Sequence, residues 1–231
     1  MPDPDGDLAR LLTWLSPAFP VGGFSYSHGL EYAVEAGLVH DRETLRVWVE
    51  SVLALGSGRT DAILLGAAWR AEQAGDGAAL ADVVAWGEAF RGTSELALES
   101  GAQGGAFLAA VRAVWPHPRL EAFARLLEAE HRAPTYPVAV GVACAAFGID
   151  ERAALRAYIH AFCANLISAG VRLIPLGQTD GLRVLAALED TVRGVCVNIS
   201  GLGLADLGTA TWMVDLCSAR HETQYTRLFR S

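Results

Sequence analysis

The sequence predicts an all-α protein, a single-domain helical bundle of roughly eight to eleven helices, given the usual lengths of helices and of their connections. Apolar residues recur at helical spacing almost throughout, and no run shows the apolar–polar alternation that is typical of a strand. Hydrophobic residues make up 52% of the 231 residues and charged residues 19%, which is typical of a folded chain. We therefore expect one helical domain over residues 1–231.

The first helices can be placed from their apolar stripes and their capping residues. Asp41 is suited to the N-cap of a helix whose apolar residues extend to Leu53. Thr60 is expected to begin a second helix that stops near Gly75, and the same spacing predicts a third helix over residues 83–90.

Further helices are predicted in the second half of the chain. Asp150 is expected to cap a helix, and Gly148 just before it suits the end of the preceding one. Residues 192–199 could form a short strand, but a continuing helix is favoured. Apolar residues within 204–214 predict one more helical stripe.

Charge and composition exclude several classes of function. The net charge is −8, which argues against nucleic acid or an anionic membrane as the main partner. All 18 basic residues are arginine, so a phosphate-loop lysine, a Schiff base and a lysine general base are excluded. No apolar stretch reaches the roughly 20 residues of a membrane span, and the acidic start of the chain lacks the basic region of a signal peptide.

The cysteines predict no special chemistry. None of the four stands in a C-x-x-C pair, and each lies in an apolar helical context. We interpret them as small core residues of a protein in a reducing cytosol. They are Cys144, Cys163, Cys196 and Cys217.

The first segment that could carry function is residues 16–31. Gly22 and Gly23 stand just before a helix, where free backbone N–H groups could form an anion nest, although a simple loop-to-helix corner also explains them. His28 and Glu31 are one helical turn apart and could share a metal ion. One histidine and one carboxylate are too few for a metal site, so a hydrogen-bonded pair is favoured.

The second segment is residues 165–181, which places polar side chains among apolar ones. Arg172 could bond to carbonyl groups at a helix break or pair with Asp180, and Thr179 or Asp180 could cap the next helix. Alternatively, Arg172 and the amides of Asn165 and Gln178 could recognise a carboxylate or phosphate of a partner. Composition alone favours the structural interpretation.

The third segment is residues 221–231, which we call the tail. Apolar side chains recur there at helical spacing with arginines beside them, and aromatic and arginine residues are typical anchors of an interface. Docking of the tail on a partner and docking on the protein's own core are both open. The residues concerned are Tyr225, Arg227, Leu228, Phe229 and Arg230.

Together these segments resemble the UreF family of urease accessory proteins. Residues 20–31 (PVGGFSYSHGLE) match the N-terminal signature of the family. Residues 165–168 (NLIS) and 171–181 (VRLIPLGQTDG) match its central motif, and residues 221–231 (HETQYTRLFRS) match its terminal one. The motifs are long and stand in the right order. The chain departs from the pattern at Gly92 and Ala97, where relatives often carry Glu and Arg.

The resemblance implies an all-helical, cytoplasmic homodimer that is not an enzyme and has no catalytic residue, metal site or cofactor of its own. It implies a UreD/UreH-type accessory protein, a UreG-type GTPase and apo-urease as partners. The implied role is an adaptor or chaperone that bridges the first two, supports nickel insertion into apo-urease and modulates GTP hydrolysis. Neither nucleic acid nor a membrane is expected as a partner.

The resemblance also assigns partner-binding residues, with residues 221–231 as a partner-docking tail. The assigned residues are Gly22, Gly23, Tyr26, His28, Glu31, Arg172, Gln178, Asp180, His221, Glu222, Tyr225, Arg227, Leu228, Phe229 and Arg230.

Two alternative functions stay open at the level of sequence. One is a small helical metal-dependent hydrolase that uses His28, Glu31 and His221; the other is a nickel chaperone that binds the metal by itself. A catalytic residue would be needed for turnover by the isolated protein, whereas an interface residue would be needed only for complex formation. Glu95 and Glu99 are interpreted as a solvated helix face.

Overall fold

A computed structural model describes residues 4–231, so the first three residues of the acidic start lie outside the described part. Within that part the chain forms twelve α-helices, two short 3-10 turns (Gly23–Ser25 and Leu204–Asp206) and no strand. The helices are α1 (Pro4–Trp14), α2 (Leu30–Glu35), α3 (Arg42–Leu55), α4 (Ser57–Ala74), α5 (Gly77–Ala89), α6 (Ser94–Val114), α7 (Pro118–Glu130), α8 (Tyr136–Ala146), α9 (Glu151–Leu173), α10 (Gln178–Ala187), α11 (Glu189–Asn198) and α12 (Trp212–His221).

The predicted all-α, single-domain class is confirmed. Two pairs of helices, α3 with α4 and α10 with α11, are separated by one residue each, Gly56 and Leu188. If each pair is counted as one bent helix, the described chain has ten helices, within the predicted range.

The centre of the fold is α8, which packs on α4, α6 and α9. Every residue of α8 from Pro137 to Ala146 is buried, which explains why this stretch of sequence is apolar on all sides. Gly141 lets α8 approach α4 closely, because a Cβ atom there would lie 2.4 Å from the carbonyl oxygen of Leu65. Among the described residues, none of the helices has the length and apolar character that crossing a bilayer demands.

Two predicted helix caps are confirmed. Asp41 is the N-cap of α3 and accepts a hydrogen bond of 2.8 Å from the N–H of Thr44. Asp150 is the N-cap of α9 and accepts one of 3.0 Å from the N–H of Ala153. Since α9 has 23 residues, it is about 35 Å long and carries Arg172 in its last turn.

Other boundaries differ from the predictions. The helix expected to begin at Thr60 begins three residues earlier, at Ser57. Residues 192–199 are helical, as favoured, and belong mostly to α11. The stripe predicted over residues 204–214 was wrong: it consists of a 3-10 turn, a stretch without regular secondary structure and the start of α12. Glycines at 203 and 208 explain the interruption, since glycine is a poor helix former.

The C-terminal part of the chain packs against the region around α2. Helix α12 packs on α2 and α6. The contact with α2 is close at Gly29, where φ is +76° and a Cβ atom would lie 2.9 Å from the backbone nitrogen of Ser218. Only glycine adopts this backbone without strain while leaving room for the other helix.

Candidate functional site

The tail lies against its own core at some positions and faces outward at others. Phe229 is 4% exposed and belongs to the hydrophobic core. Ser27 donates its N–H to the backbone oxygen of Ser231 at 2.8 Å, and Arg230 donates its N–H to the carbonyl of Ser25, also at 2.8 Å. By contrast, Leu228 is 65% exposed, and other tail side chains, Tyr225 among them, are fully or largely exposed. The tail therefore docks on the core through His221, Phe229 and Ser231 and presents most of its other side chains.

The carboxylate of Glu31 holds the tail in this position. Its Oε1 accepts a hydrogen bond of 2.6 Å from the N–H of Leu228, and its Oε2 accepts one of 2.9 Å from the N–H of Phe229. Glu31 is buried. The predicted pair of His28 with Glu31 was wrong, because the tail and His221 occupy this carboxylate instead.

His221, at the end of α12, lies between two carboxylates and is fully buried. Its Nε2 is 3.0 Å from Oε2 of Glu31, and its Nδ1 is 2.7 Å from Oε2 of Glu95. The other oxygen of Glu95 pairs with Arg227 of the tail at 3.1 Å. One imidazole thus joins α2, α6 and α12.

His28 belongs to a neighbouring group of polar side chains. Its backbone is left-handed, with φ of +58°, and its Nε2 contacts the hydroxyl of Ser57 at 2.5 Å. Its Nδ1 is 3.4 Å from Oε2 of Glu99, an ion-pair distance without the alignment of a hydrogen bond. The same Glu99 oxygen accepts a bond of 2.7 Å from the hydroxyl of Ser231.

Electrostatics favour the ionised form of Glu99. Burial raises the pKa of this carboxyl, but the charge of His28 and the bond from Ser231 outweigh burial and bring the pKa below its ordinary value. Glu99 is therefore a buried anion that anchors the end of the tail.

The buried glutamates correct the sequence interpretation. Glu95 and Glu99 do not lie on a solvated face: both are buried against α2, α12 and the tail. A signal was available, because Glu95, Glu99 and Gln103 stand four residues apart on α6 and Gln103 is also buried. A polar stripe of this kind on an otherwise apolar helix indicates a buried polar network when something covers it.

Arg172 is stacked on the tail. Its guanidinium carbon is 4.4 Å from the ring centroid of Phe229 and 5.5 Å from that of Phe24. Its Nε donates to the carbonyl of Ser168 at 3.3 Å, and no acidic side chain among residues 4–231 pairs with it. Partial burial lowers the pKa of Arg172, yet a guanidinium remains charged at neutral pH.

The predicted pairing of Arg172 with Asp180 was wrong. Asp180 pairs with Arg183 at 2.9 Å and with Arg42 at 3.6 Å. Gly177, not Thr179 or Asp180, is the N-cap of α10. Gln178 and Asp180 therefore lie on α10, which packs on α3, α9 and α11, apart from the cluster around the tail.

The glycine pair forms a tight turn. Gly22 has φ of +71°, and Gly23 opens the 3-10 turn and accepts a hydrogen bond of 3.2 Å from the side-chain amide of Asn165. The following N–H groups of Ser25 and Tyr26 donate to the carbonyls of Gly22 and Gly23. These amides are already used within the turn, which favours the loop-to-helix corner over an anion nest.

The remaining predicted site residues divide between surface and interior. Tyr26 is buried, whereas Glu222 is exposed and bonded to Ser94. Glu31 and His221 lie together, as the hydrolase alternative requires, but His28 faces Ser57 and Glu99. Among residues 4–231, no group of three or more His, Cys, Asp and Glu side chains could hold a metal ion.

The fold and the site define an all-helical protein whose tail region presents aromatic, aliphatic and arginine side chains, the composition of a protein–protein interface. The chain belongs to the UreF family: the UreF family model matches residues 39–189. The resemblance predicted from the motifs is thus confirmed.

Full-length relatives agree with this assignment. The urease accessory protein UreF of Granulibacter bethesdensis is 53% identical over 228 residues, covering 98% of this chain and 95% of that protein. The protein of the same name from Magnetococcus marinus is 50% identical over 228 residues, 97% of each chain. The one from a Bradyrhizobium species is 53% identical over 224 residues, 97% of this chain and 92% of that protein.

Proposed function

We propose that this protein is a non-enzymatic adaptor in urease maturation, which binds a UreD/UreH-type accessory protein and a UreG-type GTPase. In this role it supports nickel insertion into apo-urease and modulates GTP hydrolysis by the GTPase. Membership of the UreF family and relatives that are called urease accessory proteins support the proposal.

One observation carries the proposal: the three motifs meet at one surface. We call this the tail surface, and its exposed side chains are Phe24, Arg172, Tyr225, Leu228 and Arg230. The stacking of Arg172 on Phe24 and Phe229 joins the first motif, the second motif and the tail. Exposed apolar side chains beside unpaired arginine suit a partner that offers apolar groups and carboxylates.

The local charge of the tail surface supports the same conclusion. The whole chain carries a net charge of −8, yet Arg172 and Arg230 bring positive charge to this surface. A partner with an acidic face would be drawn to this region and repelled elsewhere, which fixes the orientation of docking.

The test is copurification with a tagged UreD/UreH-type partner. Leu228→Ala is compared with Leu182→Ala, because these leucines are 65% and 66% exposed and only the first lies on the tail surface. We expect Leu228→Ala to weaken capture by roughly tenfold, as for a residue near the centre of an interface, and Leu182→Ala to leave it unchanged. Equal capture of both variants at wild-type level would exclude the tail surface as the docking site.

We also propose that the protein forms a homodimer. The family resemblance and the mean hydropathy of +0.28 support this. Light scattering over a range of concentrations should give twice the chain mass, and a specific interface should bury at least about 1,000 Å². A monomer mass at every concentration would contradict the dimer.

We further propose that the chain alone is not an enzyme. The absence of lysine from the sequence excludes a phosphate-binding loop of the usual kind. In the hydrolase alternative, Glu31 and His221 would have to act on a substrate, but they bond to each other and to the tail. Calorimetry with GTP and magnesium should detect no tight binding, and micromolar binding would refute this part.

A further inference from the structure

A tight turn leads into α2, just before Glu31. Its backbone is left-handed at both central residues, with φ of +58° at His28 and +76° at Gly29. The N–H of Leu30 donates to the carbonyl of Ser27 at 3.1 Å and closes the turn. Positive φ at both central positions defines a type I′ turn, a form in which glycine, asparagine and aspartate predominate. Histidine at the first central position is therefore unusual.

This turn carries groups that hold the tail. Ser27 donates its N–H to the backbone oxygen of Ser231 at 2.8 Å, and its hydroxyl donates to the same oxygen. Glu31, one residue beyond the turn, accepts hydrogen bonds from the N–H groups of Leu228 and Phe229. The N–H of Glu31 also donates to the hydroxyl of Ser27 at 3.2 Å. The path of the chain through the turn thus decides whether these groups reach the tail.

The surroundings of the His28 side chain offset the strain of its backbone, since a non-glycine residue persists in this conformation only where other contacts hold it. The side chain is buried among three helices. Its Nε2 contacts the hydroxyl of Ser57 in α4 at 2.5 Å, and its Nδ1 faces Glu99 of α6 at 3.4 Å. Its ring lies edge-on to that of Phe162 in α9, with the centroids 5.5 Å apart. These contacts fix the imidazole and oppose a return of the backbone to a right-handed conformation.

We propose that His28 is a positioning residue for the tail. Its imidazole, held by α4, α6 and α9, keeps the turn left-handed, and the turn places Ser27 and Glu31 where they bind the tail. His28 is among the residues that the family resemblance assigns to partner binding. Because it is 5% exposed, it acts on a partner through the tail surface and not by direct contact, a consequence that rests on the proposed function.

Hydrogen exchange of the full-length chain alone tests the role of His28. Protection factors of the Leu228 and Phe229 amides are compared with that of the Ile149 amide, which is bonded within the core at 2.9 Å. In His28→Ala the backbone strain remains and the imidazole contacts are lost. We expect tail protection to fall roughly tenfold relative to the reference, as for the loss of one hydrogen bond. Wild-type tail protection in this variant would overturn the proposal.

A second substitution separates positioning from the filling of space. Glycine adopts positive φ readily, so His28→Gly removes the imidazole and the backbone strain together. We expect its tail protection to lie between that of His28→Ala and that of the wild type. If His28 only filled space, glycine would be no better than alanine, because it leaves a cavity at least as large. Tail protection in His28→Gly no higher than in His28→Ala would therefore refute the proposal.

His131 provides the matched control. Among residues 4–231 it is the only other non-glycine residue with positive φ, at +53°, and it is exposed at the end of α7. Both His131→Ala and His131→Gly should leave tail protection, relative to the reference amide, at the wild-type level. A fall equal to that of His28→Ala would show that the tail responds to any change of this kind, and the proposal would be wrong.

Ser57→Ala covers the case in which the His28 variants fail to fold. It keeps the histidine and removes only the hydroxyl that its Nε2 contacts. We expect tail protection to fall, because the imidazole is then held less firmly, and protection at the wild-type level would contradict the proposal. No partner protein enters these measurements. The positioning role of His28 and the proposed docking can therefore fail independently.

Discussion

Arg172 and Phe229 are stacked, with the guanidinium carbon 4.4 Å from the ring centroid. Arg172 ends the long helix α9, and Phe229 anchors the tail to the core. The guanidinium carbon of Arg172 is also 5.5 Å from the ring centroid of Phe24. A planar cation packed against rings is already ordered before binding, which lowers the entropy cost of docking.

We expect Arg172→Ala to weaken binding to the UreD/UreH-type partner with little effect on folding. Truncation of an interface anchor costs about 2 kcal/mol or more, roughly thirtyfold in affinity. Arg193→Ala is the control, since Arg193 is also exposed and pairs with Asp190 of its own helix. Titration of the partner gives the affinity, and thermal melting gives the stability. A melting shift as large as that of a core deletion would make Arg172 a structural residue.

Substitutions of Phe229 and Leu228 should separate the contribution of the tail to folding from its contribution to docking. Phe229→Ala is expected to lower the free energy of unfolding by about 3–5 kcal/mol, the usual cost of emptying a buried phenylalanine site. Leu228→Ala should change it by less than about 0.5 kcal/mol, because that side chain is mostly exposed. Urea unfolding measures both. Similar losses for the two variants would show that the tail does not pack as described.

Asp61 forms the buried centre of a second polar network. It pairs with Arg91 at 2.8 Å and accepts a hydrogen bond of 2.8 Å from the hydroxyl of Tyr158. Asp61→Ala leaves the Arg91 charge buried and unpaired, so we expect a loss of about 3–5 kcal/mol. Asp190→Ala, which breaks an exposed pair, should cost less than about 1 kcal/mol. Equal effects in denaturant unfolding would contradict the buried network.

The low pKa of Glu99 predicts a loss of stability in acid. Its carboxyl binds a proton less readily in the folded chain than in the unfolded one, so its stabilising contribution is present at neutral pH. That contribution disappears as the pH falls through the folded pKa. The Glu99→Gln variant should be less stable than wild type at neutral pH. Its free energy of unfolding should fall less steeply as the pH is lowered. Glu88→Gln is the control, because Glu88 forms an exposed pair with Arg132. The free energy of unfolding of this variant should depend on pH as steeply as that of the wild type.

The helices were predictable because their signals are local. Spacing of three and four residues and caps such as Asp41 and Asp150 depend only on near neighbours in sequence. Interruptions of helices were less predictable. Residues 204–214 carry a few apolar residues at helical spacing, but the glycines at 203 and 208 prevent a continuous helix there. Of the residues of the tail surface, Arg172, Tyr225, Leu228 and Arg230 were among the predicted partner-binding residues, whereas Phe24 was not.

The partners of the polar side chains were not predictable. Whether Glu95 and Glu99 face solvent depends on α12 and the tail, which are more than 100 residues away in sequence. His28 and Glu31 are neighbours along the chain but bond to different elements, because the left-handed backbone at His28 and Gly29 turns their side chains apart. Such pairings are properties of the tertiary structure.

The bond between Ser27 and Ser231 closes a loop over 204 positions of sequence. Contacts of such separation form late, because the entropy of closing a long loop must be overcome before they contribute any stability. During synthesis, which proceeds at about 5–20 residues per second, the bundle around α4 and α8 can assemble well before residues 224–231 emerge. The tail surface therefore forms after the helices on which it rests, and the carboxylates of Glu31 and Glu99 wait for their tail partners until then.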